Sequence, residues 1–281
     1  MNKKLTKIYL PKFLQPNFTK SLIRIGKDHD GGYLVPKEDI EKSDVLISLG
    51  ISFDWSFEKK FKSINKNISI YSYDGSVGFK YFIKNIKYRF KNFLLKPSKY
   101  SFLKILSRLR MFLDFCIFFR INLFKNIIFH YEWFVSKVDD ENYFNDFYTN
   151  YGYEPKSVST NSIIEKLKPD TYFSIDIEGS EYNILNLLIK NQNNISGVVI
   201  EIHDLHKNIE IVEDFIKRFN LKLVHLHINN YSPVINEIPS VVELTFSKYA
   251  ILEKRKVKSL PNNLDQDNLK HGPQFYVGFL K

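Results

Sequence analysis

Cysteine is almost absent from this chain. Cys116 stands alone among 281 residues, which excludes an intramolecular disulfide and any metal centre built from several cysteines. Long apolar runs are missing as well. The greasiest stretch, Met111 to Phe124, is interrupted by Asp114 and Arg120. It falls short of the roughly 20 residues that a bilayer-spanning helix needs. The start, MNKKLTKIYLPKFLQP, is basic but holds no apolar run of signal-peptide length. These gaps set the expectation of a reducing, cytoplasmic location, with a peripheral place at the inner membrane as the other option. Two glycine signatures are lacking too. Gly50 is followed by Ile51, Ser52, Phe53, Asp54 and Trp55, so there is no Gly-x-Gly-x-x-Gly turn, and no Gly-Lys-Ser/Thr occurs. A compact phosphate-binding loop is therefore absent, which argues against NAD, FAD and P-loop nucleotides.

What is present is a globular composition: 44% hydrophobic and 26% charged residues. The net charge of +10 is unevenly spread. Lys80 to Lys125 holds twelve Lys/Arg against the single acid Asp114, a local excess of +11, while the rest of the chain sums to −1. One basic, aromatic segment within a neutral protein is a different object from a uniformly basic one. Its aromatic spacing is helical, with a break near Pro97. The aromatics read as helix core rather than a stacking platform, and no RNA-binding motif accompanies them, which weighs against a nucleic-acid partner.

Elsewhere short apolar runs alternate with amphipathic stretches. Strands are expected at Asp44 to Gly50, Ile68 to Tyr73, Ile127 to Phe129, Tyr172 to Asp176, Gly197 to Ile202, Leu221 to Leu226, Val241 to Phe246 and Phe275 to Leu280. Helical spacing covers Trp55 to Phe61, Ser157 to Leu167, Glu181 to Lys190 and Ile209 to Phe219, and Asp139 to Tyr153 reads as a loop or short helix. Asp28 to Tyr33, with its Gly31-Gly32 pair, reads as a tight turn into a short extended piece. The alternation predicts an α/β fold with a doubly wound, Rossmann-like, mostly parallel sheet.

Such sheets bind ligands beyond the carboxyl ends of their strands. The first strand ends at Gly50, where a ligand could approach the backbone, and the second ends on Asp74, placed to accept ribose hydroxyls. A ribose acid without a pyrophosphate loop suits S-adenosylmethionine (SAM), which carries no phosphate. A turn glycine and a solvated aspartate are the plainer alternative. The third feature is Asp176-Ile177-Glu178-Gly179-Ser180-Glu181, between a strand and a helix, where acids can also serve simply to complement the helix dipole. The next strand ends Glu201-Ile202-His203-Asp204. Adjacent strands would bring Asp176 near His203 and Asp204. A carboxylate with a histidine can deprotonate a hydroxyl or hold an oxygen-preferring divalent cation such as Mg or Mn, and it can also be a structural hydrogen-bonded cluster. His225 and His227 share one strand face ahead of Asn229 and Asn230, a pair that is either packed or functional.

Taken together, Asp30-Gly31-Gly32-Tyr33, Leu46 to Glu58, Ser174 to Tyr182, Val199 to Asp204 and His225-Leu226-His227 resemble the FkbM-type methyltransferases, with Asp176-Ile177-Glu178-Gly179-Ser180-Glu181 as the hallmark block. The resemblance covers roughly residues 22–60 and 158–247. It implies a class I, SAM-dependent fold and O-methylation, often of sugar hydroxyls. It makes residues 1–281 one methyltransferase domain with an N-terminal extension (1–43). The basic helical insertion (76–126) carries no motif of the family, and its place after the second strand makes it either a cap over the site or a packed hairpin with solvated charges. The implied cofactor set is Ser48, Gly50, Ser52, Asp74, Gly75, Asp176 and Glu178. Asp176, His203 and Asp204 are the implied catalytic or metal-binding group. Tyr33, Glu201, His225 and His227 fall on the substrate side. Ser52 stands where the family's usual second glycine would be.

The expected activity is SAM-dependent methylation of a sugar hydroxyl on a nucleotide-activated sugar or surface-polysaccharide precursor. The basic segment would meet an anionic acceptor or an anionic lipid surface. The alternatives are an RNA methyltransferase and a non-enzymatic nucleotide- or sugar-binding module.

Overall fold

A computed structural model describes residues 5–121, 127–135 and 156–280. Seven strands form the central sheet: β1 (Val45–Leu49), β2 (Ser69–Tyr73), β3 (Ile128–Tyr131), β4 (Thr171–Ile175), β5 (Ile195–Ile202), β6 (Lys222–Ile228) and β7 (Val242–Ser247). Their spatial order is β3-β2-β1-β4-β5-β7-β6. The pairs from β3 through β5 are parallel, whereas β7 runs antiparallel to both β5 and β6. This is the doubly wound 3-2-1-4-5-6 order with one antiparallel strand inserted between the fifth and sixth. The expected Rossmann-like, mostly parallel sheet is thus observed. Every residue of β1, β4 and β5 is buried, as their unbroken apolar runs require for strands covered on both faces.

Among the described residues, seven α-helices flank the sheet: α1 (Lys37–Lys42), α2 (Ser56–Ile64), α3 (Phe79–Leu95), α4 (Lys99–Phe115), α5 (Thr160–Ile164), α6 (Tyr182–Lys190) and α7 (Leu205–Arg218). One face of the sheet packs on Ile184, Leu188, Val212 and Phe215 of α6 and α7. The other packs on Ile40, Phe57 and Phe61 of α1 and α2, with Phe82 and Phe115 from the base of the α3–α4 hairpin. Pro97 ends the first hairpin helix and Ser98 caps the second, its hydroxyl accepting from the Ser101 amide while Ser101 returns a bond to the Ser98 amide.

The described residues of the N-terminal segment, from Leu5 on, are part of this body. Leu10 and Leu14 are fully buried in the same core as the central strands. Leu5–Leu10 pairs in parallel with Gln274–Phe279 as a separate two-stranded sheet, so the expected last strand exists but lies outside the central sheet. Leu22–Gly26 and Gly32–Pro36 form a hairpin, with Gly31 in the left-handed region between them. The expected element at Asp139 to Tyr153 and residues 122–126 of the insertion lie outside the described residues.

Candidate functional site

The carboxyl ends of β1, β2 and β4 enclose a cavity of roughly 600 Å³, a size usual for small-ligand sites. Gly50 makes it possible. Its φ is +77°, and a Cβ there would collide with the Asp176 carbonyl, so the turns after β1 and β4 can meet only over a glycine. Ser52 also has a positive φ, +46°, the conformation for which glycine would be the easier residue.

Asp74 sits at the end of β2 and braces this turn. One carboxylate oxygen accepts from the Ile51 and Ser52 amides at 2.9 and 2.6 Å, and the other from the Ser76 amide and hydroxyl at 2.7 and 2.6 Å. Its four acceptor positions are met from within the chain, so Asp74, the residue expected to bind ribose, lines the cavity and also braces its wall. Phe53, Phe57, Tyr73, Trp133 and Phe134 also line the cavity and supply aromatic surface suited to a flat ring. Trp133 and Phe134 were not expected from the sequence; they directly follow β3, the short strand that the basic segment precedes. The charge is one-sided. Among the described residues, Asp30, Asp54, Glu58, Asp74, Asp176 and Glu178 line the cavity, with Lys27 as the single basic one, paired to Asp54 at 3.1 Å.

The turn after β4 curls back because Glu178 and Gly179 both take positive φ, +51° and +99°. Glu181, fully buried, holds that turn by accepting from the Gly179 amide at 3.0 Å and the Ile177 amide at 3.3 Å. The same oxygen meets Nδ1 of His203 at 2.8 Å, and Tyr182 donates its hydroxyl proton to the His203 carbonyl. His203 is thereby fixed with Nε2 toward Glu178, 3.4 Å away, and Glu201, 3.7 Å away. Asp176, Glu178 and His203 can each present one ligand atom within 4.8 Å of the others. Two hard oxygens and one imidazole, with a buried carboxylate orienting the histidine, is a donor set that fits Mg or Mn.

These contacts shift protons. Burial and the neighbouring Glu178 charge raise the Asp176 pKa to about 7, and one of its oxygens is buried without a partner. Burial opposes a charge on His203, but the bond to Glu181 and the fields of Asp176 and Glu178 outweigh it and raise its pKa. Glu201 is pushed well up by burial and by Asp176. Tyr33 lines the cavity with its ring edge-on to Phe57, and burial raises its pKa in turn.

Several expected site residues lie elsewhere. Asp204 has a left-handed backbone at the start of α7, and its exposed carboxylate pairs with Lys207 at 3.2 Å. That left-handed turn carries it away from His203, and Glu178 takes the third place in the cluster. Ser48 is fully buried on β1 beside Glu58. Gly75 packs on the Phe134 ring rather than on the cavity. His225 and His227 share Asp265, at 3.0 and 3.7 Å, and His227 also meets Asn268 at 3.0 Å. Burial works against charge on His227, yet Asp265 and Glu243 overcome it and lift its pKa to about 9. That pair is a buried network away from the main cavity, and His227 and Asp265 line a second, smaller cavity. Glu201 stands between the two groups, bonded by Asn229 at 2.9 Å.

No protein-family model matches the chain and no curated protein is similar to it in sequence. Solved structures give distant likenesses. One is the Methanococcus jannaschii fibrillarin pre-rRNA processing protein, 12% identical over 74% of this chain and 68% of that one, with a TM-score of 0.32. A fibrillarin/Nop5p complex is 14% identical over 74% and 73%, with a TM-score of 0.31. Precorrin-6y C5,15-methyltransferase from Geobacter metallireducens is 11% identical over 75% and 86%, with a TM-score of 0.32. At values this low, the chemistry has to be read from the chain's own residues.

Proposed function

We propose that this protein transfers a methyl group from SAM to a hydroxyl, and that the hydroxyl belongs to a sugar. The observation that carries the reading is the Asp176–Glu178–His203 cluster beside a cavity at the carboxyl edge of the sheet. The cavity suits SAM in three respects: acids for a sulfonium cation, aromatic rings for an adenine, and no phosphate-binding turn. When bound, SAM supplies an electrophilic methyl carbon and leaves as S-adenosylhomocysteine. The sugar acceptor and the FkbM-type relationship rest on the quoted motifs alone.

The chain's own residues have two tasks. They align the acceptor oxygen with the methyl carbon while excluding water, which the enclosing aromatic wall and Tyr33 favour. They also take the hydroxyl proton. Asp176 is the best-placed base, since it lines the cavity, has an unpartnered oxygen and has a pKa of about 7, near the operating pH. His203, whose pKa Glu181 and the neighbouring carboxylates raise, lies beside it. In the other version of the chemistry, Asp176, Glu178 and His203 would hold a divalent cation, and the chemistry it would supply is Lewis acidity toward the hydroxyl. Phosphate is unwelcome among six acids. An acceptor that carries it would keep it at the rim, where Arg108 lies 5.1 Å over the Phe53 ring.

Titration calorimetry with SAM and S-adenosylhomocysteine is the first test; absence of binding to both would remove the methyltransferase reading. A screen of nucleotide-sugars with labelled SAM then tests the acceptor class. Unchanged turnover in EDTA would assign the proton to Asp176 alone, and its loss would assign the cluster to a metal.

A further inference from the structure

We propose that the outer end of the α3–α4 hairpin docks on an anionic lipid bilayer. The inference is independent of methyl transfer and would stand if the chain bound no SAM.

The hairpin is built as two helices of 17 residues each, roughly 25 Å long. Their buried residues are Phe82, Ile105 and Phe115, all toward the base or middle. At the outer end, Leu94 and Leu95 are 64% and 70% exposed, and Tyr100 and Leu103 stand beside them in water. Interleaved with these are Lys87, Lys91, Lys96 and Lys99, exposed and joined to no acid among the described residues. From Lys80 to Leu113 the sequence holds ten Lys/Arg and no acid at all. The end is also preformed: the Ser98–Ser101 capping pair and the Phe93–Phe102 ring contact, 5.9 Å between centroids, fix the turn.

Complementarity selects the occupant. A second copy of the chain would set ten positive charges against ten. A nucleic acid would answer the charge and the aromatic rings but leave Leu94, Leu95 and Leu103 in water. An anionic bilayer answers both, taking the leucines below its headgroups and the lysines at its surface. Among the described residues no helix is long and apolar enough to cross a membrane, so the hairpin would lie on the surface. Met111, in the lower half of α4, lines the cavity, so docking would bring the candidate site close to the membrane.

Co-sedimentation of the full chain with phosphatidylcholine vesicles, with and without phosphatidylglycerol, tests this. Pelleting should require the anionic lipid and weaken as salt is raised. Leu94→Asp/Leu95→Asp and Lys96→Glu/Lys99→Glu should each lower the partition coefficient roughly tenfold or more. All four positions are exposed, so unchanged melting would show that the body stays folded. Pelleting that is absent, or equal with neutral vesicles, overturns the proposal without any variant. So does wild-type partitioning of both variants, or binding of single-stranded RNA by a chain that ignores the vesicles.

Discussion

The carboxyl edge of the sheet and the α3–α4 hairpin are both dense in charge, and they treat it in opposite ways. At the sheet edge the charges are acids, from the buried Glu181 and Glu201 to the exposed Glu178, several held by backbone amides and by His203, and burial raises the pKa of Asp176 and Glu201. On the hairpin they are bases, turned to water, with leucines exposed beside them. Burying a charge costs free energy unless a partner or a proton offsets it, so a buried cluster of acids signals chemistry or a ligand. An exposed basic face costs little and signals a surface to be met. The net charge of +10 averages over two regions whose charges differ in sign and in exposure.

The sharpest way to separate the regions is to remove one charge from each. Asp176→Asn should lower methyl transfer by roughly 10²- to 10⁴-fold, the usual contribution of a positioned base, while leaving thermal stability unchanged or raised. Lys96→Glu on the hairpin should leave turnover of a small soluble acceptor unchanged. Methyl incorporation from labelled SAM reads both. Comparable losses in the two variants would mean that hairpin and cluster act as one site.

Packing should divide the same way. Phe246 on β7 is fully buried, and Phe246→Ala should cost roughly 3–5 kcal/mol of stability. Phe90 on the hairpin is 52% exposed, and Phe90→Ala should stay within about 0.5 kcal/mol. Denaturant unfolding measures both. A large loss at Phe90 would place the hairpin inside the cooperative body and leave less of it free to meet a membrane.

The sequence showed most of the fold because the central strands are uninterrupted apolar runs and the helices carry regular stripes. Pro97 marked the hairpin break correctly. What it hid follows from how side chains are aimed. Asp204 and His203 are neighbours in sequence, yet the left-handed residue that starts α7 sends one to solvent and the other to the cluster. Glu181 was visible in the Asp-x-Glu-Gly-Ser-Glu block, but its grip on His203 depends on the positive φ at Glu178 and Gly179. His225 and His227 looked alike available because Asp265, forty residues downstream, gave no local sign of being their partner. The N-terminal strand paired with the last one for a similar reason, since neither run says where in the fold its edge will lie.

The smallest effect reads charge in the body away from any ligand. Asp39 on α1 is fully buried at the amino edge of the sheet; one oxygen accepts from the Tyr249 amide at 2.9 Å and the other has no partner. Burial raises its pKa to about 7, from the ordinary carboxylate value in the unfolded chain. The folded state therefore holds a proton that the unfolded state releases, so the stability gained is complete at low pH and is lost as pH rises through 7. Between pH 6 and 8 the loss from this group should be about 1.4 kcal/mol. Glu58, raised to about 7 by burial, adds a loss of the same sign. Asp39→Asn, which keeps the shape without the proton, should make the fall between pH 6 and 8 smaller by that amount in denaturant unfolding. Asp114→Asn on the hairpin, whose carboxylate is held by Lys59 and Trp55, should leave the fall intact. A wild-type fall in Asp39→Asn would mean that Asp39 is ionised in the fold, its burial matched by a partner.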